Sequence, residues 1–450
     1  MRFQIPRENP AAQLGARPTA RLLAFEVLRD RERGGAFTED LLEARLARVH
    51  LAPADRALCQ ELAFGVVRWQ AALDWLVARN TGGRTQLPDV QILLRLGLYQ
   101  LFCLDRIPLH AAVDETVELA KVTGCGAQTG FINGLLRAHA REHAATRAAL
   151  AELKRSHPHL GWSHPEWLVR RWLARWGAEA VARLLEWNNA PPAVFARVNT
   201  LRTDAARLLE RWRMENVNYD FVRREGLREN SVFLLKSPPP LARLESFNTG
   251  GFYVQDPSTL FAVGELAPQS GEMILDLCAA PGGKTTAIAA RMNNSGHIVA
   301  VDDSPVRLKL LAENCRRLGV TCVEAVATPP AAAGAGHFPW FDRALVDAPC
   351  SNTGVLRRRV DLRWRLREGD LAKLARTQLE LLASAAARLK PGGLLVYSTC
   401  SLEPEENENV VRKFLDAHHE FTLEGERELL PFRDAMDGAF VARLRRRARS

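Results

Sequence analysis

From residue 19 to about 145 the apolar positions recur at helical spacing. In "DVQILLRLGLYQL", Val90, Leu93, Leu94, Gly97, Leu98 and Leu101 follow an i, i+3, i+4, i+7 rhythm, which predicts one buried helical face with Asp89 as N-cap. "ARLLAFEVLRD" (20–30), "EDLLEARLA" (39–47), "DRALCQELAFGVVRWQAALDWLVAR" (55–79) and "FINGLLRAHAR" (131–141) keep that period. They predict an all-α bundle, and no fixed-length repeat runs through it. A further helix opens at "SHPEWLVRRWLARWG", where Ser163 and Glu166 stand at capping-box spacing and Gly177 marks a stop. Between 193 and 255 the pattern changes to short runs, "AVFARVNTLR", "VNYDFV" and "SVFLL", broken by "SPPP", which predict a small α+β region.

After 270 the pattern changes again. "MILDLCAA" (273–280), "HIVAVDDS" (297–304), "TCVEAV" (321–326), "RALVDAP" (343–349) and "GLLVYSTC" (393–400) are short apolar runs separated by helical segments. Strands alternating with helices predict a parallel sheet covered on both faces, with ligands at the carboxyl ends of the strands. The chain is therefore read as multi-domain: an all-α domain (1–150), a small α+β linker module (151–245) and a C-terminal α/β domain (246–450).

Composition narrows the function classes. The residues are 47% hydrophobic and 25% charged, the balance of a soluble globular protein. No run approaches the roughly 18 uncharged apolar residues of a membrane span, and "MRFQIPRENPAAQLGARPTA" lacks the apolar core of a secretory signal. A cytoplasmic address without membrane partners is expected. The 8 cysteines include no C-x-x-C pair, and no histidine shows metal-ligand spacing, so neither a disulfide scaffold nor a metal site is expected. A net charge of +9 favours a polyanionic partner such as nucleic acid.

"LDLCAAPGGKTT" follows an apolar strand and precedes a helix, where a Gly-rich turn lets a ligand approach the backbone. It ends like a P-loop, yet Cys278 stands where the Walker pattern requires glycine, which weakens a nucleotidase reading. The next strand ends in Asp302, about twenty residues on, where doubly wound folds place an acid on ribose hydroxyls. As simple helix caps, Asp302 and Asp303 carry no such meaning. "DAPCS" (347–351) and "YSTCS" (397–401) each set a cysteine just beyond an apolar run.

"DLCAAPGGKTT", "VDAPCSNTGVLRRRVDLRW" and "YSTCSLEPEENENVV" resemble, in order, the signature stretches of S-adenosylmethionine-dependent RNA cytosine-5 methyltransferases. "DRALCQELAFGVVRW", "ILLRLGLYQLFCLDRIPLHAAVDETVELA" and "GFINGLLR" resemble a NusB-type helical domain, and "HPEWLVRRW" and "ARVNTLR" fit the middle region of the bacterial RsmB/Sun family. The resemblance covers nearly the whole chain. It implies a Rossmann-like methyltransferase domain and 16S ribosomal RNA as partner, free or in an early pre-ribosomal particle, with the protein acting as a monomer.

Cytosine C5 is a poor nucleophile, so methylating it calls for addition at C6 by a thiolate. One thiol starts such a cycle and a second can help to end it; position alone assigns neither role. The resemblance assigns the nucleophile to Cys400 and assistance in release to Cys350, and places Asp347 near both cofactor and base. It further implies that Cys278, Ala279, Ala280, Pro281, Gly282, Gly283 and Lys284 hold the amino-acid end of S-adenosylmethionine, with Asp302 on its ribose. At the adenine position, where the family has an aspartate, this chain has Thr328. The remaining cysteines, Cys59, Cys103, Cys125, Cys315 and Cys322, are read as small buried hydrophobes. Six arginines around Trp364 in "RRRVDLRWRLR" (357–367) suggest RNA contact, and "RLRRRARS" (443–450) suggests a disordered phosphate-binding end. In "PEENEN" (404–409) the acids suit a first helical turn, with Asn407 or Asn409 bracing the Cys400 loop. The competing readings are a catalytically weak RNA-binding assembly factor and a cytosine-5 methyltransferase acting on another RNA.

Overall fold

The computed structural model describes residues 18–334 and 338–448. It divides into two compact units, one formed by the chain up to Asn189 together with Arg363–Arg365, the other by Ala190–Leu362 and Leu366 onward. The N-terminal stretch quoted above lies, up to residue 17, outside the described residues.

The first unit is helical. Its centre is the helix Pro88–Cys103, in which Ile92, Leu96, Tyr99 and Gln100 are buried together with the expected stripe. The helix is thus buried on nearly all sides rather than on one face, because neighbouring helices surround it. Asp89 is not its cap: Leu87 precedes the helix and Pro88 takes the first turn, where its missing N–H costs nothing. Tight approaches occur at Gly65, where a Cβ would lie 2.1 Å from the Tyr99 ring, and at Gly97, where it would lie 2.7 Å from Leu136. The expected helix over 55–79 is two helices, Pro53–Arg68 and Gln70–Thr81, hinged at Trp69. Ser163 does not form a capping box; its φ is +53° and its hydroxyl accepts from the Ala72 N–H at 2.9 Å. Gly177 does interrupt its helix, at φ 76°, ψ 171°, and the chain turns helical again at once.

The second unit holds two sheets. In the small one, β1 (Val194–Val198), β2 (Asn218–Phe221), β3 (Val232–Lys236) and β4 (Phe252–Val254) run antiparallel in the order β2-β3-β1-β4. Trp212, on the helix Ala205–Met214, is fully buried edge-on against Phe233 and Phe252.

The large sheet comprises β5 (Met273–Leu277), β6 (His297–Asp302), β7 (Val323–Ala327), β8 (Phe341–Asp347), β9 (Leu389–Thr399), β10 (Phe421–Leu429) and β11 (Ala439–Arg446), in the order β10-β11-β9-β8-β5-β6-β7. Strands β5 to β9 are parallel, as expected. β11 is antiparallel to both neighbours, so the sheet is mixed. Alternate residues feed two cores. Ile274, Ile298, Leu345 and Val396 meet the helices Leu260–Leu266, Gly283–Arg291 and Pro305–Leu318 on one face. Leu275, Val299, Ala344 and Leu395 meet Asp370–Ala387 and Glu408–Ala417 on the other. The chain runs outward from β5 through β6 to β7, then returns to β5's opposite side as β8, which opens a crevice at the carboxyl ends of β5 and β8. Arg443–Arg446 belong to β11 instead of a disordered end. Arg443 and Arg445 bind Glu424 at 2.7 and 2.8 Å across the strand pair, while residues 449–450 lie outside the described residues. Ala439 is buried opposite Leu429.

Candidate active site

The loop after β5 turns through left-handed conformations at Cys278 (φ 60°) and Gly282 (φ 100°), then enters the helix Gly283–Arg291. Only glycine adopts the second angle freely. The Ala279 N–H donates to Val301 O at 3.0 Å, tying the loop to β6. At the end of β6, Asp302 is buried; its Oδ2 accepts from the Ala280 N–H at 3.2 Å and its Oδ1 from the Ser304 N–H at 3.1 Å. Arg307 pairs with Asp302 at 3.3 Å and donates to Ala280 O. Asp302 therefore braces the loop and the next turn at once, joining the capping and loop-associated readings. Thr328 follows β7 directly, and its N–H donates to Asp302 O at 3.2 Å.

Below the loop, Asp276 is fully buried; its Oδ2 accepts from the Thr285 hydroxyl at 2.6 Å and its Oδ1 has no partner among the described residues. Burial pushes its pKa up to about 7, against the Thr285 bond and with help from Asp347. Lys284 pairs with Asp347 at 2.6 Å. Burial pulls the lysine's pKa down, and Asp347 more than offsets this, so the ammonium stays charged. Arg197, fully buried in β1, donates to Gly283 O at 3.0 Å and Thr286 Oγ1 at 2.9 Å, with its guanidinium over the Tyr253 ring. The small sheet thus grips the first turn of the loop's helix.

The ends of β8 and β9 bring the two cysteines together: Cys350 Sγ and Cys400 Sγ are 3.3 Å apart. Cys400 donates to Asn352 Oδ1 at 3.0 Å, and Asn352 Nδ2 donates to Cys350 O at 2.6 Å. Asn352 sits at φ 58°, a left-handed angle asparagine tolerates. Cys350 is buried, whereas Cys400 is partly exposed. The hydrogen bond between Cys350 and Cys400, followed by burial, drives the Cys350 pKa well above the ordinary thiol value. Burial, with Asp347, also holds the Cys278 thiol protonated.

Behind the thiols lies a polar lattice. Buried Glu406 accepts from the Ser351 N–H at 2.9 Å, Ser401 Oγ at 2.5 Å, Gln378 Nε2 at 3.0 Å and the Ser351 hydroxyl. Asn407 accepts from Thr399 Oγ1 at 2.7 Å and donates to Ser401 O at 3.0 Å, so it does brace the Cys400 loop; Asn409 instead accepts from Arg412. The Gly354 N–H donates to Cys400 O at 2.9 Å, and a Cβ there would sit 2.8 Å from that oxygen.

The structure therefore gathers Cys278 to Lys284, Asp302, Thr328, Asp347, Cys350 and Cys400 around one strand-end crevice. It does not place the "RRRVDLRWRLR" segment as a free basic face. Arg357 binds Asp437 at 2.6 Å, Arg358 binds Asp256 at 2.8 Å, and Arg363 is fully buried, donating to Asn189 Oδ1 at 2.7 Å and Asn188 O at 2.9 Å. Trp364 Nε1 donates to Val67 O at 2.8 Å. Cys103 is exposed, unlike the buried Cys59, Cys125, Cys315 and Cys322. Asn352 and Arg197 escaped the sequence reading because they act on Cys400 and Thr286, 48 and 89 positions away, and Glu406 was read only as an acid of a first helical turn although it binds Ser351, 55 positions away. The one local signal was Asn352's place two residues after Cys350.

The crevice fits S-adenosylmethionine. A helix N-terminus behind a glycine turn suits its carboxylate, and an acid at the end of the second strand suits ribose hydroxyls in doubly wound folds. Asp276 Oδ1 and Gln255 Oε1, which have no partner among the described residues, are buried acceptors suited to a cationic ligand, and a Cβ at Gly283 would meet the Gln255 amide at 3.3 Å. Among the described residues no helix is long and apolar enough to cross a membrane.

Residues 263–445 match the model for the 16S rRNA methyltransferase RsmB/F family, 18–141 the NusB family, and 164–228 the RsmF/B-like ferredoxin-like domain. A Bacillus subtilis protein named probable ribosomal RNA small subunit methyltransferase B is 34% identical, covering 95% of this chain and 99% of that one. The ribosomal RNA small subunit methyltransferase B of Cronobacter sakazakii is 39% identical, over 87% and 90%. A solved structure of a methyltransferase homologue from Pyrococcus horikoshii is 30% identical with a TM-score of 0.57, covering 66% of this chain and 99% of its own.

Proposed function

We propose that this chain, which belongs to the RsmB/F family of S-adenosylmethionine-dependent RNA methyltransferases, methylates C5 of a cytosine in small-subunit (16S) ribosomal RNA. The observation that carries the reading is the pair of thiols 3.3 Å apart at the strand ends, one partly exposed and one buried.

Cys400 is the thiol a base can reach. Its sulfur adds to C6, its proton passes to N3, and C5 becomes the nucleophilic carbon of an enamine. Asp347, held by Lys284, hydrogen-bonds the base edge and favours the N3-protonated form. S-adenosylmethionine, held by the Cys278–Lys284 loop, Asp302 and the Thr328 turn, supplies an electrophilic methyl group on a sulfonium. C5 takes that methyl as the methyl–sulfur bond breaks and leaves the neutral thioether of S-adenosylhomocysteine; a base then takes the C5 proton, the C–H electron pair re-forms the C5–C6 double bond, the Cys400 thiolate leaves C6, and the N3 proton returns to it. Cys350 assists this release. Its raised pKa supports the division of roles, because a thiol that stays protonated is a poor resting nucleophile. The NusB-like part, 1–150, contributes RNA binding.

The test uses purified protein, 16S rRNA and labelled S-adenosylmethionine. Wild type should transfer methyl groups to C5, Cys400→Ala should transfer none, and Cys350→Ala should accumulate an RNA adduct that survives denaturation. Methylation by Cys400→Ala would reassign the nucleophile, and no transfer by wild type to any RNA or ribosomal particle would favour the assembly-factor reading.

A further inference from the structure

Away from the thiols, two adjoining cavities of about 630 and 330 Å³ share Phe261 and Arg427. They run between the loop that joins β2 to β3 and the β10 edge of the large sheet. Arg427 stacks over Phe261 with its guanidinium 5.0 Å from the ring centre, and a Cβ at Gly226 would lie 2.7 Å from its Nη1. The left-handed Gly226, at φ 87°, thus lets the loop close over that arginine. Arg224 lines the first cavity, Arg228 and Arg291 the second.

The charge in this groove is unbalanced. Arg224, Arg228 and Arg427 form no ion pair among the described residues; Arg224 reaches only the carbonyl of Arg223. Arg228 and Arg291 line the second cavity together; burial lowers the Arg291 pKa, repulsion from Arg228 lowers it further, and Arg291 donates to Val263 O at 2.8 Å. Of the four acids at the rim, Asp434 is held by Arg433 at 3.0 Å and Glu265 by Arg443 at 4.0 Å. Arg224, Arg228, Arg291 and Arg427 therefore outnumber Glu225 and Glu428.

We propose that this groove binds the phosphodiester backbone of RNA, at a place separate from the cysteine crevice. The inference rests on RNA being the substrate and adds where the strand is held. Planar guanidinium groups pair with phosphate oxygens in a forked geometry, and an arginine lying on an aromatic ring keeps its edge free for that pairing. The wall of the groove ends at Met436, beside Asp437, which holds Arg357 and Arg358 on the segment leaving Cys350. An RNA strand bound here lies next to the scaffold of the catalytic loop without entering it.

Full-length 16S rRNA transcript, titrated by fluorescence anisotropy over a series of KCl concentrations, tests the proposal. Arg224→Glu/Arg228→Glu alters only surface loop residues, and Arg427→Gln serves as a second variant. Removing one arginine–phosphate pairing should lower the slope of log affinity against log salt by about 1, so the double variant should bind RNA more weakly with a slope smaller by roughly 2. Its affinity for S-adenosylhomocysteine and its melting temperature should match wild type. Unchanged RNA affinity and slope in both variants, in protein that methylates rRNA normally, would overturn the groove alone. Inorganic phosphate binding abolished in the variants while RNA binding stays intact would also overturn it, marking a small-anion site. Weaker RNA binding by variants of a protein that transfers no methyl would uphold the groove and sink the enzymatic reading.

Discussion

Replacing Arg197 with methionine separates what this residue does for the fold from what it does for the Cys278–Lys284 loop, proposed to hold S-adenosylmethionine. The guanidinium is fully buried with no carboxylate partner among the described residues; burial pulls its pKa from 12.5 to about 10, with Tyr253 opposing and Arg291 and Arg317 adding to the fall. A depression of that size amounts to about 3 kcal/mol against keeping the charge inside. The hydrogen bonds to Gly283 O and Thr286 Oγ1 act in the other direction, at roughly 1.5–3 kcal/mol each for a charged donor. The opposing terms nearly cancel, and methionine keeps the contact with Tyr253, so the stability loss should stay below about 3 kcal/mol. The loop should suffer more, because Gly283 is its last glycine and loses both its anchor and a nearby positive charge. Calorimetric titration with S-adenosylhomocysteine should show affinity reduced about ten-fold, equivalent to about 1.4 kcal/mol, with partial recovery in Arg197→Lys. The reasoning is refuted if Arg197→Met binds S-adenosylhomocysteine as wild type does, or if affinity falls only where the protein is already melting.

Thr328→Asp should tighten S-adenosylmethionine binding by restoring an acid at the end of β7, and a calorimetric Kd that stays the same or rises would count against that alignment. Glu406→Ala should cost about 3 kcal/mol or more in urea denaturation and reduce methyl transfer, since four buried donors lose their acceptor at about 1–3 kcal/mol each; a variant with an unshifted midpoint would show that water replaces the carboxylate. Asp276 has a folded pKa near 7, above its value of 3.8 when unfolded, so the folded state holds its proton more tightly. The stability this contributes is complete below about pH 4 and is lost as pH rises through about 7. The unfolding free energy of wild type from urea titrations should therefore fall relative to Asp276→Asn between those limits, by up to about 4 kcal/mol, and parallel curves would remove Asp276 as the cause.

The parallel strands were legible because each is a short apolar run, all but the edge strand β7 largely buried in the sheet, and a crevice at their carboxyl ends followed from the alternation of strands with helices. Cys350 and Cys400 were legible as strand-end residues, but their 3.3 Å separation was not, since it depends on β8 and β9 being neighbours. The arginines of "RRRVDLRWRLR" mislead for a related reason. Local sequence shows a basic run, while Asp437 and Asp256, which neutralise Arg357 and Arg358, lie 79 to 102 positions away. The C-terminal arginines were similarly read as free, although Glu424, about twenty positions back, receives two of them once β10 and β11 pair. Conversely, Gly177 and the "SVFLL" strand were readable because backbone constraint and β-branching act within a few residues.

The order of strands has a consequence for biosynthesis. β11 lies between β9 and β10, yet it is the last of the three to be made. While residues 400–438 are being synthesised, β9 presents an open hydrogen-bonding edge, and β10 has no strand beside which to settle. Gly438, whose N–H closes onto Gly354 O beside the Cys400 carbonyl, arrives only as β11 begins. The Cys400 loop of a nascent chain therefore stays loose until that late strand slots in, and the crevice takes its final form only after the chain has passed through its most aggregation-exposed stage.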